Sequence, residues 1–77
     1  MKKVIIYSTP TCIYCRLAKE WLKQNNISFV DYDLSVDAER REEIIKKTGQ
    51  MGVPVIEVDE EIIIGFDKKK LSELLGI

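Results

Sequence analysis

The run Val4-Ile5-Ile6-Tyr7 is short, β-branched and apolar on both of its alternating faces. A strand carries that pattern when both faces are covered, so this segment, read from Lys3 to Tyr7, predicts a central strand with helices on either side. Thr9 and Pro10 end it. With 77 residues the chain is near the size where one hydrophobic core only just suffices. Residues 1–77 are therefore read as a single domain built around that strand.

The remaining segments supply the cover. From Cys12 to Asn25, the apolar residues Tyr14, Leu17, Ala18, Trp21 and Leu22 recur at helical spacing, with Arg16, Lys19, Glu20 and Lys23 on the opposite, solvated face. Asn25 and Asn26 suit a left-handed cap. The stretch ISFVDYDL reads as a second strand with Ile27, Phe29 and Val30 on its apolar side. Ser35 or Asp37 then caps a helix that runs through Thr48 and stops at Gly49. Its many charges, Arg40, Arg41, Glu43 and Lys47 among them, read as a solvated face. VPVIEV and EIIIGF, joined by Asp59 and Glu60, predict an antiparallel hairpin. Asp67 caps a last helix with Leu71, Leu74 and Leu75 turned inward. The order β-α-β-α-β-β-α predicts an α/β fold, a four-stranded mixed sheet flanked by three helices.

A formal net charge of -1 gives no electrostatic reason for a nucleic acid or an anionic membrane to bind. MKKVIIYS has lysines before an apolar run too short for a signal peptide, and no stretch approaches the length of a bilayer span. Two cysteines are too few for a disulfide-dense secreted scaffold. The expectation is a cytoplasmic monomer whose cysteine pair does redox or metal chemistry.

That pair, Cys12 and Cys15, sits where the first strand gives way to the first helix. At positions i and i+3 of a helical turn the side chains lie within about 5 to 6 Å, a separation that a disulfide tolerates. Cys12 follows the Thr-Pro-Thr turn, where unpaired N–H groups and the positive end of the helix dipole favour a thiolate. Cys15, a turn deeper, is expected to be buried and to keep its proton. The asymmetry makes Cys12 the nucleophile and Cys15 the resolving thiol. Two other readings remain. With no histidine, a closed four-ligand zinc site needs carboxylates or a second subunit, and two-thiolate copper carriers follow a β-α-β-β-α-β order. The cysteines could also simply pack well in a core.

YSTPTCIYCRLAK resembles the Thr-Cys-Pro-Tyr-Cys active site of the glutaredoxins, with Ile13 in place of the proline. GVPVIEV is similar to the Val-Pro segment before their third strand, and IGFD to their Gly-Gly-x-Asp-Asp turn. The resemblance covers essentially the whole chain. It implies a thioredoxin-like fold and a thiol–disulfide oxidoreductase with no bound cofactor, using glutathione as co-substrate and acting on disulfide-containing proteins. It implies a cis Pro54 facing the cysteines, with the Val53 backbone pairing with a peptide-like substrate as an added strand. Thr11 and Tyr14 would line that groove, and Gly65, Phe66 and Asp67 would meet the glutathione end groups. From the residues alone, Pro54 can equally open a strand, Tyr14 can pack its helix and Asp67 can be an ordinary cap.

Thr9, Gly52, Ile64 and Lys68 stand where glutathione-using members carry a cation, a threonine, a glycine and an aspartate. Gly65-Phe66 is shared with small redoxins that take electrons from thioredoxin reductase, often to supply ribonucleotide reductase, whereas Tyr14 is shared with glutaredoxins proper. By the same analogy a glutathione-ligated iron–sulfur dimer is a further alternative. Ile13 restores an N–H donor that proline would lack.

Overall fold

A computed structural model describes residues 2–50 and 52–77. The elements are β1 (Val4–Ser8), α1 (Ile13–Gln24), β2 (Val30–Asp33), α2 (Ala38–Thr48), β3 (Val55–Val58), β4 (Glu61–Ile64) and α3 (Lys68–Leu75), in the expected order. They form one four-stranded sheet, β2-β1-β3-β4. β2 runs parallel to β1, β3 is antiparallel to β1, and β4 is antiparallel to β3. The parallel step from β1 to β2 requires a crossover, which α1 provides.

β1 is central and covered on both faces. Val4 and Ile6 pack with Ala18 and Leu22 of α1, Leu71 of α3, and Ile56, Val58 and Ile63 of the hairpin. Tyr7 packs on the other face with Leu34, Val55 and Ile44, the only buried residue of α2. The strand's alternation thus assigns α1 and α3 to one side of the sheet and α2 to the other.

Each helix begins at a side-chain acceptor. Asp37 Oδ1 accepts from the Arg40 N–H and Asp67 Oδ1 from the Lys70 N–H, both at 3.1 Å. Gly49 closes α2 in the left-handed conformation at φ 72°, and of the asparagine pair after α1 it is Asn26, at φ 57°, that takes it. Cys12 and Asn25, expected as the ends of α1, are its caps.

Two expectations need correction. β2 begins only at Val30, and Ile27 and Phe29 precede it while still packing against the α1/α3 core. The Ile27 N–H donates to Leu22 O at 2.9 Å and so belongs to the end of α1. Val30 pairs with Ile5 on the edge strand β2 and is exposed. The charges of α2 are also more than a solvated face. The Arg40 guanidinium lies 4.1 Å from the Tyr32 ring centre, Arg41 donates to Leu34 O at 3.4 Å, and Lys47 lies 3.6 Å from Glu57. A helix with a single buried side chain is held to its sheet partly by cations that reach back to it.

Both faces of β1 should therefore be needed for stability. Leu22→Ala and Ile44→Ala are each expected to destabilise the chain by about 2 to 5 kcal/mol in urea denaturation. A loss well below this range at either position would show that the corresponding layer contributes little.

Candidate active site

β1 delivers the chain to a turn, Thr9–Cys12, closed by the Cys12 N–H donating to Thr9 O at 3.3 Å. Cys12 then stands as the N-cap of α1 with an extended backbone, φ -87° and ψ 113°. Its Sγ accepts the Cys15 backbone N–H at 3.1 Å, the position that a serine or aspartate oxygen takes in an ordinary cap. The nucleophile candidate is thus built into the start of the helix, and the helix start fixes where its sulfur stands.

The two thiols differ as the sequence predicts. Cys12 is partly exposed, and Cys15 is closed off completely at 0% exposure. Burial pushes the Cys15 thiol up to about 12, and the hydrogen bond and charge of Cys12 act in the same direction, against lowering contributions from the Thr9 backbone and the Lys19 charge. At neutral pH Cys15 is held as a thiol within reach of the sulfur it must attack.

Helical spacing puts Tyr14 and Leu17 on the apolar face of α1, yet Tyr14 is 66% exposed and Leu17 is 43% exposed. Together with Ile13, also exposed, they put apolar side chains on the first turns of α1, next to the dithiol in sequence. Thr11 lies in the exposed turn before Cys12.

The second part of the site comes from two loops. The Val53–Pro54 peptide is cis, as the resemblance implies, and Pro54 is buried. The Gly65 N–H donates to Pro54 O at 2.8 Å, joining the turn after β4 to the proline loop. Gly65 has φ 88°, which disfavours any other residue there. Phe66 meets Trp21 of α1 edge-on with ring centres 6.1 Å apart, and Lys68 Nζ lies 5.7 Å from the Phe66 ring centre. Asp67 is the cap of α3. No backbone hydrogen bond joins Val53 to another described residue, which leaves its peptide groups able to pair with an added strand. Thr9 links the two parts. It lines one pocket with Val53, Leu34, Arg41 and Ile44, and a second cleft with Pro10, Cys12, Arg16 and Lys19. At Gly52, the Gln50 side-chain oxygen lies 2.6 Å from where a Cβ would stand, so glutamine fills the place of a threonine side chain.

A polar chain beneath the cysteines escaped the sequence reading. Ser8, 2% exposed at the end of β1, donates to Asp31 Oδ1 at 2.8 Å, and Lys19 Nζ lies 2.9 Å from Asp31 Oδ2. Lys19, on the polar face of α1, is therefore tethered rather than simply solvated. The one available signal was the polar residue closing an otherwise apolar strand in VIIYS. Among the described residues, no group of three or more cysteine and carboxylate side chains is arranged to hold a metal ion.

Comparison with known proteins agrees with this arrangement. A protein-family model described as Glutaredoxin matches residues 4–63. An uncharacterised glutaredoxin-like 8.6 kDa protein in the rubredoxin operon of Clostridium pasteurianum is 49% identical over 70 residues, 91% of this chain and 93% of that protein. Glutaredoxin 3 of Escherichia coli K12 is 40% identical over 67 residues, 87% of this chain and 81% of the relative. The glutaredoxin-like protein NrdH of Lactococcus lactis is 31% identical over 71 residues, covering 92% of this chain and 97% of the relative. Among solved structures, a mutant of the thioredoxin-like protein BC3987 superposes with a TM-score of 0.91 at 35% identity, over 100% of this chain and 99% of the other.

The Cys15 environment has a direct consequence for stability. An unfolded chain ionises this thiol from its ordinary value of 9.0, whereas the folded chain keeps it protonated up to about 12. A raised folded-state value stabilises fully below 9.0 and loses that contribution as pH rises through the folded value. Tyr7, raised above 10.0 by burial and then by Glu57, acts in the same direction but starts higher. The denaturation midpoint of the reduced protein should fall between about pH 9 and 10, and Cys15→Ala should flatten that segment. The same slope in the variant would show that Cys15 ionises freely in the folded chain.

Proposed function

The chain belongs to the glutaredoxin family of thiol–disulfide oxidoreductases, and on that premise we propose that Cys12 and Cys15 reduce protein disulfides or glutathione mixed disulfides. The Cys15 N–H to Cys12 Sγ hydrogen bond carries this reading, since it sets an exposed sulfur and a closed thiol at the head of one helix.

In the first step the Cys12 thiolate attacks one sulfur of the substrate disulfide. A Cys12–substrate disulfide forms, and the other substrate sulfur leaves with the bonding electron pair and takes a proton from water. Cys15 then gives its proton to solvent and attacks Cys12 Sγ. The Cys12–Cys15 bond forms, and the second substrate sulfur leaves as a thiolate. Two electrons have passed from the dithiol to the substrate, and two external thiols must restore them. Around this centre Thr11 and Tyr14 flank the substrate sulfur, the Val53 backbone pairs with the substrate strand beside Pro54, and Gly65, Phe66 and Asp67 receive the far end of the ligand. Glutathione, as co-substrate, supplies the restoring thiols.

A second reading has its own support. Gly65-Phe66, the lysine at position 68 and the similarity to NrdH favour reduction by thioredoxin reductase. Turnover of a glutathionylated peptide separates the two. With NADPH present, glutathione plus glutathione reductase should sustain it, Cys15→Ser should retain this monothiol reaction, and Cys12→Ser should abolish it. Turnover only with thioredoxin reductase would favour the second reading, and activity in Cys12→Ser would overturn the assignment of the nucleophile.

A further inference from the structure

We propose that Lys19, clamped by Asp31 and Ser8, is a positioning residue for the resolving step, a fixed cation that favours the Cys15 thiolate as it forms. The inference rests on the roles given above to Cys12 and Cys15.

Lys19 follows Cys15 by four residues on α1, so their Cβ atoms are neighbours at about 5 to 6 Å on one side of the helix. It also lines the cleft that opens onto Cys12, together with Thr9, Pro10 and Arg16. Its ammonium is not a freely moving surface charge. Asp31 holds it at 2.9 Å, and Asp31 is in turn fixed by the buried Ser8 hydroxyl at 2.8 Å. The chain thus spans β1, β2 and α1, and it ends at the Lys19 ammonium, one helical turn from Cys15.

Two groups favour the Cys15 thiolate, the Thr9 backbone and the Lys19 charge. The charged or titratable groups around Cys15 are Cys12 and Lys19 on α1, and of these Lys19 alone favours the thiolate. From β2, Asp31 contacts Lys19 directly, and Lys19 also acts on Asp33. β1 contributes the Ser8 hydroxyl, whereas Tyr7 is turned to the opposite face of the sheet. Residues 53–55 carry no charge, and Lys68, at the start of α3, is drawn to Phe66.

Resolution requires the Cys15 proton to pass to water before its sulfur attacks Cys12 Sγ and expels the substrate thiolate. Burial opposes that ionisation, and the nearby positive charge offsets part of the opposition. Lys19 neither gives nor takes a proton in this step. Its contribution is a charge held at a constant place.

The test uses equimolar 5,5′-dithiobis(2-nitrobenzoate) on the fully reduced protein, followed by stopped-flow absorbance. The first release of thionitrobenzoate reports attack by Cys12, and the second reports resolution by Cys15. Lys19→Met keeps the aliphatic stem and removes the charge. It should slow the second release at pH 7 by about two- to fourfold, because the loss of thiolate is partly offset by the higher nucleophilicity of a more basic thiolate. The rate profile should shift to higher pH, and Lys19→Arg should restore it. If Lys19→Met does not fold, Lys19→Gln serves the same comparison. An unshifted profile in the neutral variant would overturn the role of Lys19 while leaving the Cys12 and Cys15 assignments intact. A wild type with no second release, like Cys15→Ser, would remove the resolving step itself and this inference with it.

Discussion

The contact on which the site depends is the hydrogen bond from the Cys15 N–H to Cys12 Sγ. A helix needs an acceptor at its N-cap, and this chain supplies sulfur where serine, threonine or aspartate is usual. The same contact therefore starts α1 and places the two cysteines one turn apart. Oxidation to a disulfide replaces this interaction with a covalent bond between the same two residues. Local structure and redox state are linked at a single atom.

That atom is aimed by the sheet. β1 is covered on both faces, so its end is fixed, and the turn from Thr9 to Cys12 carries the rigidity into α1. The proline loop reaches the same end through β3, and the Gly65 to Pro54 bond brings the start of α3 along. Three segments distant in sequence thus meet at one edge of the molecule. Stability comes from the paired faces of β1, and chemistry comes from what stands at its end.

Much of this was legible in the sequence because it rests on short-range patterns. The two-sided run Val4 to Tyr7 announced a covered strand, Asp37, Gly49 and Asp67 marked helix ends, and Asp59-Glu60 marked the hairpin turn. What escaped depends on tertiary neighbours. Tyr14 and Leu17 share the helical spacing of core residues, yet they are exposed while Cys15, Ala18 and Leu22 take the buried side of α1. Ile27 and Phe29 alternate like strand residues but pack as the exit from a helix. Arg40, Arg41, Lys47 and Lys19 read as solvated charges, and only the fold reveals the tyrosine ring, the carbonyl and the carboxylates that they reach. The cysteine spacing disclosed the dithiol, whereas the Ser8 and Asp31 support beneath it joins residues 23 apart in sequence.

The asymmetry between the two sulfurs, on which the proposed chemistry turns, can be read by competition for a limiting alkylating agent. Reduced protein would be treated at neutral pH with less than one equivalent of iodoacetamide, and the modified cysteine located by fragmentation of the peptide that contains both. Carbamidomethyl groups are expected on Cys12 almost alone, because Cys15 is both buried and protonated. Equal labelling, or labelling of Cys15 first, would mean that the helix start does not distinguish the two thiols and that neither role follows from it.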